Sequence, residues 1–237
     1  MAAKPDNSKV PAKGGGKAAV NRFLNQVAVA PRRAGSGRGR LIFAMDATAS
    51  REPTWDHACH IQGEMFAATG SLGGLEVQLV FYRGFGECRA SPWVASSTEL
   101  VRRMTAVTCL GGHTQIGRVL AHAVKETRKK RVDALVFVGD AMEEDVDDLS
   151  HIAGELGLLG VPAFIFHEGH DTVAASGFRQ IAKLTKGAYC SFDAGSAEQL
   201  KALLGAVAVY AAGGRRALED LSRQKGGVVR LLTSDLE

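Results

Sequence analysis

Carboxylate and hydroxyl side chains follow two apolar segments and a glycine-rich loop of this chain, at positions where they could bind a ligand. The apolar run 41–45 stops at a carboxylate, and two hydroxyls follow it at alternate positions. A second apolar run, 134–138, is followed by a glycine and another carboxylate, and a third hydroxyl ends the glycine-rich loop 111–114. These oxygen donors are the candidate site residues: Asp46, Thr48, Ser50, Thr114 and Asp140.

The donor atoms suit a hard divalent cation. Mg²⁺, Mn²⁺ and Ca²⁺ bind carboxylate, hydroxyl and water oxygens, and no Cys or His accompanies the candidate residues as a zinc site would require. The two carboxylates roughly neutralise a divalent ion. Because the other ligands are uncharged, the bound ion would remain electron-poor and could still accept a carboxylate from a partner. Helix capping is the alternative interpretation of Thr48 and Ser50 taken singly, but it does not explain why two buried strands end in aspartate.

The hydrophobic pattern predicts the strands that position these residues. The continuous apolar runs before Asp46 and Asp140 predict strands buried on both faces, as in the middle of a parallel sheet. The short turn Arg83-Gly84-Phe85-Gly86 requires the strands on either side of it to be antiparallel, and Pro92 places the second of them at the sheet edge. The remaining strands are predicted at 75–82, 87–95, 161–167 and 188–192.

Helical periodicity predicts helices between the strands. One helix is expected directly after Ser50, a second from the capping box 96–99, and a third after the loop that contains Thr114. The acidic stretch 143–148 is expected to open a further helix, because the free amides of a first turn stabilise negative charge. The last helices are predicted at 177–185, from Ser196 through Val207, and in short form after Gly213.

Alternating strands and helices predict the α/β fold class. The expected architecture is a doubly wound, mostly parallel open sheet with one antiparallel edge strand. The strands that end at Asp46 and Asp140 are expected to be neighbours where the strand order reverses, which is where open α/β sheets bind ligands. Both carboxylates would then lie in one crevice.

Composition divides the chain into three predicted parts. Eight Lys and Arg residues against a single Asp, and a run of glycines, predict a flexible basic arm over 1–39, with one amphipathic helix at Ala18–Ala30 as its only structure. The α/β domain is predicted over 40–213, and a short helix and tail over 214–237. Since nothing in the arm is expected to pack in a core, deletion of residues 1–38 is expected to leave the melting temperature unchanged.

Charge and cysteine content favour an intracellular location. The four cysteines are widely scattered without a CxxC pair, which indicates reduced core thiols. The N-terminus lacks the apolar segment of a secretory signal, and no apolar run approaches a membrane span. The basic cluster 128–131 is interpreted as a solvated helix end. We therefore expect a cytoplasmic protein of 237 residues with neither a membrane nor a nucleic acid as its partner.

The order and spacing of the oxygen donors resemble the metal-ion-dependent adhesion site (MIDAS) of the von Willebrand factor type A (VWA) family. The family's first motif is usually Asp-x-Ser-x-Ser, and Thr48 keeps the hydroxyl of the first serine. Its third motif is often Thr-Asp-Gly, of which 138–141 keeps only the acid. The resemblance runs from Arg40 to Gly213, and 178–189 is similar to the helix–strand step that follows the site in these Rossmann-like domains.

The resemblance implies a binding module and not an enzyme. Thr48, Ser50 and Thr114 would hold the metal, and the two aspartates would contact it directly or through water. An Asp or Glu of a partner protein would complete the coordination shell. Cytosolic members commonly act as subunits or adaptors of multi-protein assemblies, often with ATPases or chaperones, so we expect an intracellular adaptor or assembly subunit.

A class of enzymes offers the alternative interpretation. A buried strand ending in Asp46, with 138–145 further on, also resembles the magnesium-dependent phosphohydrolases of the haloacid dehalogenase type. In that chemistry Asp46 would attack phosphorus, and a second carboxylate two residues later would be the general acid. Thr48 occupies this second position, and a hydroxyl cannot act as an acid near neutral pH. The glycine-rich loop also has no role in this reaction.

Other catalytic or metal-binding motifs are weaker. His57-x-x-His60 with Cys59, and the stretch 167–170 with its two histidines, each lack a third zinc ligand at suitable spacing. A helix surface and a strand-end loop are the favoured interpretations. The chain contains no Gly-x4-Gly-Lys loop for phosphate and no Gly-x-Ser-x-Gly elbow for a nucleophilic serine.

Overall fold

A six-stranded sheet forms the centre of the structure, a computed structural model that describes residues 15–30, 38–52, 75–192 and 202–213. The strands are β1 Gly39–Asp46, β2 Leu75–Arg83, β3 Glu87–Ala90, β4 Ala134–Gly139, β5 Ala163–Glu168 and β6 Ala188–Phe192. The helices are α1 Gly15–Val29, α2 Ser97–Thr105, α3 Ile116–Lys129, α4 Val146–Leu158, α5 Thr172–Leu184 and α6 202–213, with a 3₁₀ turn at Ala49–Arg51.

The strand order confirms the predicted fold class. The sheet runs β3-β2-β1-β4-β5-β6, and all neighbours are parallel except β2 and β3. β1 and β4 are neighbours, as predicted, and the order reverses there because β2 lies on the other side of β1. Every residue of β1 is buried, as expected for a strand that helices cover on both faces.

Side chains alternate between two cores. Leu41, Phe43 and Met45 of β1 belong to the core that α1, α2 and α6 cover. Ile42 and Ala44 belong to the core on the opposite face, which α3, α4 and α5 cover. The period-two alternation of a strand thus divides one continuous apolar run between the two layers of helices.

The N-terminal segment corrects the predicted domain boundary. The prediction of a flexible arm over 1–39 is wrong for residues 15–30, because α1 packs on the sheet and belongs to the domain. Phe23 is fully buried, and its ring centroid lies 6.1 Å from that of Phe164 and 5.1 Å from that of Phe166. The helix predicted within the arm is therefore present and supplies core residues. The rest of the arm and the predicted tail 214–237 lie outside the described residues.

Several predicted boundaries shift. β3 ends at Ala90 and not at 95; beyond it, Val94 forms only an isolated bridge to Val77. α5 begins at Thr172, five residues before the prediction, because Asp171 accepts a hydrogen bond from the Ala174 amide at 2.7 Å and caps it. The helix start predicted at Ser96 is confirmed, because Ser96 Oγ accepts from the Glu99 amide at 3.4 Å, but the Glu99 carboxylate pairs with Arg102 and Arg103 and does not complete a capping box. The helix predicted after Ser50 and the helix start predicted at Ser196 fall outside the described residues.

The basic cluster 128–131 at the end of α3 forms ion pairs with acidic residues of the same chain. Its four cations each form an ion pair with an acidic residue: Arg128 with Glu155, Lys129 with Glu126, Lys130 with Glu76 and Arg131 with Asp133. These contacts support the interpretation of the cluster as a charged helix end. Within the described ranges Cys88 and Cys109 are free thiols, and no helix there combines the length and the hydropathy of a membrane span.

Candidate metal site

Asp46, the last residue of β1, is a fully buried carboxylate held by hydrogen bonds. The Thr48 amide donates to Oδ1 at 2.8 Å, and the Tyr82 hydroxyl donates to Oδ2 at 2.8 Å. Burial raises the pKa of Asp46 above its usual value, and these hydrogen bonds oppose the rise by stabilising the ionised form. The Thr48 side chain also hydrogen-bonds to Asp46, and the carboxylate's remaining lone pair can face a cation or a water molecule.

The Tyr82 hydrogen bond gives a direct stability prediction. We expect Tyr82→Phe to lower the free energy of unfolding by about 1 to 3 kcal/mol, because a buried carboxylate oxygen loses its donor. Urea denaturation measures the change. A stability equal to that of the wild type would show that the hydroxyl does not support Asp46.

The two hydroxyls after Asp46 lie on a tight turn. The Ala47 amide still bonds to the Tyr82 carbonyl at 3.0 Å, and the chain then turns into the 3₁₀ segment, where the Arg51 amide donates to the Thr48 carbonyl at 3.1 Å. The Thr48 and Ser50 side-chain oxygens are 3.1 Å apart. Thr48 is buried and Ser50 is exposed, so this pair of hydroxyls extends from the sheet edge to solvent.

The glycine-rich loop is attached to this turn and to the loop after β4. The Leu110 amide donates to the Ala47 carbonyl at 3.0 Å. The Thr114 amide donates to Glu143 Oε2 at 2.9 Å, and the Thr114 hydroxyl accepts from the Glu143 amide at 3.0 Å. The Thr114 hydroxyl therefore faces the loop that begins with Asp140.

The acidic stretch after β4 has two roles and not the single one predicted. Only its second half caps α4, because Asp145 accepts from the amides of Asp147 and Asp148. Glu143 holds Thr114, and Glu144 accepts from the amides of Ile116 and Gly117 at 2.8 and 2.7 Å. The prediction that 143–148 opens one helix is thus wrong for the two glutamates, because the Thr114 amide of the glycine-rich loop binds Glu143 and the first amides of α3 bind Glu144.

Asp140 follows β4 beside Asp46. The register pairs Met45 with Val138, so Asp46 lies level with Gly139, and a Cβ placed on that glycine would be 3.5 Å from the Asp46 Cβ. Asp140 Oδ1 is buried and has no hydrogen-bond partner among the described residues. A buried carboxylate oxygen without a donor is costly unless a cation satisfies it.

His167 positions the main chain of Asp140. This residue of β5 is buried, its Nε2 lies 3.2 Å from the Asp140 carbonyl oxygen, and its Nδ1 lies 2.9 Å from the Tyr189 hydroxyl. Burial lowers the pKa of His167, which favours the neutral ring. Because a carbonyl only accepts, Nε2 must donate and Nδ1 must accept from Tyr189. His167 is therefore a supporting residue, while His170, the other histidine of the 167–170 stretch that was not favoured as a zinc site, is exposed.

Arg51 and Glu168 add a buried ion pair to the same edge of the sheet. The Arg51 side chain is 1% exposed and the Glu168 side chain 14%. Burial lowers the pKa of Arg51, while the charges of Asp140 and then Asp46 are the strongest influences that raise it. Neither residue was predicted as part of the site, although Glu168 stands at the end of a third buried strand as the two aspartates stand at the ends of theirs.

The predicted residues fit a hard cation. Neighbouring strand ends carry both aspartates, the Thr48–Ser50 turn follows one of them, and Thr114 faces the loop of the other. All side-chain donors are oxygens, which suits Mg²⁺, Mn²⁺ or Ca²⁺. Within the described ranges no three His, Cys, Asp or Glu side chains cluster as a metal site, so hydroxyls would have to complete the donor set with the two carboxylates.

Comparisons with solved structures identify the fold. No protein-family model matches the chain, and no curated protein sequence does. An aerotolerance-related membrane protein from Bacteroides fragilis is 13% identical with a TM-score of 0.55, and the match covers 70% of this chain and 98% of that one. The VWA domain of SpRpn10 is 12% identical with a TM-score of 0.54, covering 66% of this chain and 89% of that one.

A third similar structure contains a metal. The proximal thread matrix protein 1 from the mussel byssus, with a zinc-occupied MIDAS motif, is 18% identical with a TM-score of 0.56, and the match covers 73% of this chain and 45% of that one. These identities are low, so the likeness concerns the fold. The part of the chain that the structure describes has the VWA fold, in agreement with the resemblance of its motifs.

Proposed function

We propose that this chain of VWA fold is a divalent-metal-dependent protein-binding module. Asp46, Thr48, Ser50, Thr114 and Asp140 bind Mg²⁺, Mn²⁺ or Ca²⁺ at the edge of the sheet, directly or through water. A carboxylate of a partner protein completes the coordination of the ion. The chain acts as an intracellular adaptor or assembly subunit in the cytoplasm, with an ATPase or chaperone assembly as the class of partner.

The unsatisfied oxygen of Asp140 carries this proposal. Asp140 Oδ1 is buried beside the end of β1 without a donor from the described residues, and the charge of Asp140 contributes to raising the pKa of Asp46. Two carboxylates that repel each other at close range are both stabilised by one cation. The fold alone does not require a buried carboxylate oxygen without a donor next to a second carboxylate, whereas a metal site does.

The surface beside the site favours a protein as the partner. Phe85 is 84% exposed and Leu110 is 52% exposed, and the Phe85 ring lies edge-on to that of His113 with centroids 5.1 Å apart. Leu110 and His113 belong to the loop that ends in Thr114. Large apolar side chains exposed together next to a polar site are typical of a surface that another protein covers.

The buried position of Asp46 disfavours the phosphohydrolase alternative. A nucleophilic aspartate needs an oxygen that a phosphoryl group can approach. Asp46 is fully buried and both of its oxygens accept hydrogen bonds, which leaves room for a bare ion or a water molecule but not for a bulky phosphate ester. Thr48, at the position of the general acid, donates its amide to Asp46 and has no acidic group. We therefore propose a binding module and not an enzyme.

Titration calorimetry with MnCl₂ and MgCl₂ tests the metal site. We expect Asp140→Asn to weaken binding at least tenfold, because the variant loses one of two ligand charges without changing shape, and we expect Asp46→Ala to abolish binding. Asp133→Asn is the matched control. Asp133 lies just before β4, at the end of that strand opposite to Asp140, and bonds to Arg40 and Arg131. Equal affinity in all four proteins would contradict the assignment.

Affinity capture tests the partner's carboxylate. Immobilised wild-type protein should retain the partner in Mg²⁺ and release it in chelator, and Asp140→Asn should not retain it. Amidation of the carboxyl groups of the eluted partner should then prevent rebinding. Retention that survives both chelator and amidation would exclude a metal-bridged carboxylate.

A further inference from the structure

The ion pair between Arg51 and Glu168 connects the ends of β1 and β5 across the end of β4. Arg51 lies on the turn after β1, one residue beyond Ser50, and its partner Glu168 is the last residue of β5. β4 lies between β1 and β5 in the sheet, so the Arg51–Glu168 pair passes over the end of β4, where Asp140 begins. Glu168 is also tied to this position, because the preceding residue, His167, bonds to the Asp140 carbonyl.

The ion pair changes the charge of the site. Three carboxylates end or follow adjacent strands at this edge, those of Asp46, Asp140 and Glu168, and one guanidinium lies among them. Their formal charges leave a net of two negative charges, which equals the charge of a divalent cation with opposite sign. A guanidinium stays protonated even when buried, so this balance persists at neutral pH.

We infer that Arg51 is the resident counter-ion of the metal site, held by Glu168 over the end of β4, where it supports the carboxylates without metal and limits the affinity for a cation. The inference rests on the proposed metal site and concerns a residue outside the ligand set. A positive charge at this place repels an incoming metal ion, so its removal strengthens metal binding. Removal of the Glu168 charge does the opposite, because Glu168 then no longer offsets the positive charge that Arg51 places beside the aspartates.

The net charge of Asp46, Asp140, Glu168 and Arg51 predicts the order of affinity for Mn²⁺ among the wild type and three variants. Arg51→Met leaves three negative charges and should bind at least tenfold more tightly than wild type. Glu168→Gln leaves one and should bind at least tenfold more weakly. The double variant Arg51→Met/Glu168→Gln returns to two negative charges and should bind within about threefold of wild type.

Two further variants separate charge from packing. Arg51→Lys keeps the positive charge and should retain an affinity close to that of wild type. Arg40→Met removes another buried arginine, which pairs with Glu76 and Glu126 at the opposite end of β1, and should lose thermal stability in chelator while binding Mn²⁺ like wild type. Arg51→Met should also melt at a lower temperature than wild type in chelator, and added Mn²⁺ should raise its melting temperature by more.

Calorimetric titration of these proteins with MnCl₂ at fixed ionic strength decides the inference. The predicted ranking supports it. Equal affinities of Arg51→Met and Arg51→Lys, or undiminished binding by Glu168→Gln, would overturn it while leaving the metal site in place. Absence of Mn²⁺ binding by wild type and by every variant would overturn the proposed metal site itself. If Arg51→Met does not fold, the comparison of Glu168→Gln with wild type still decides the outcome.

Discussion

Replacement of Phe23 by alanine is expected to lower the free energy of unfolding by about 3 to 5 kcal/mol. The ring is fully buried between α1 and the sheet, in contact with Phe164 and Phe166. Its removal forfeits apolar burial and leaves a cavity where these elements meet. Urea denaturation of the full chain measures the loss.

Val29→Ala is the matched control for this change. Val29 belongs to the same helix and is 67% exposed, so its truncation should change the stability by less than about 0.5 kcal/mol. Deletion of residues 1–38 should lower the melting temperature substantially, which reverses the expectation from composition. If Phe23→Ala were as stable as Val29→Ala, α1 would not be part of the folded domain.

Gly112→Ala is expected to disrupt the loop that carries Thr114. A Cβ at Gly112 would lie 2.1 Å from the carbonyl oxygen of Gly84, and that oxygen accepts from Gln115 Nε2 at 3.2 Å. The β2–β3 turn and the glycine-rich loop must separate to admit the methyl group. We expect a loss of about 1 to 3 kcal/mol in stability, as for other overpacked sites, and at least tenfold weaker Mn²⁺ binding.

Gly111→Ala provides a close control for the same loop. A Cβ at Gly111 has no other atom within 4 Å, so this variant should fold and bind Mn²⁺ like wild type. Calorimetry and urea denaturation on both variants separate the close approach at Gly112 from a general effect of alanine in the loop. Equal behaviour of the two variants would show that the contact with Gly84 does not position Thr114.

The central strands and their terminal acids could be predicted because local sequence determines them. Continuous apolar runs before Asp46 and Asp140 indicate strands buried on both faces, and the rule that open α/β sheets bind ligands where the strand order reverses favours those two strands as neighbours. The Arg83–Gly86 turn likewise determined the antiparallel pair, since so short a connection permits no crossover. These features depend on residues close together in the chain.

The features that sequence alone did not give depend on partners far apart in the chain. Arg51 and Glu168 are 117 positions apart, and no local pattern indicates that two opposite charges meet over a third strand. Glu143 and Glu144 follow the rule that acids favour a helix start, but the start belongs to α3 and not to the next helix. In the N-terminal segment most of the basic residues and glycines lie outside α1, whose own basic residues are Lys17 and Arg22. The composition of the whole segment therefore hid a helix whose apolar face packs in the core.

The short edge strand β3 has a consequence for how this protein meets other chains. An exposed sheet edge offers free amides and carbonyls that can recruit a foreign strand and seed aggregation. β3 has four residues, two of them the charged Glu87 and Arg89, and Pro92, two residues beyond its end, lacks the amide that a longer edge strand would need. Intermolecular strand addition is therefore discouraged on this side of the sheet, and a partner is left with side chains and loops as its points of attachment.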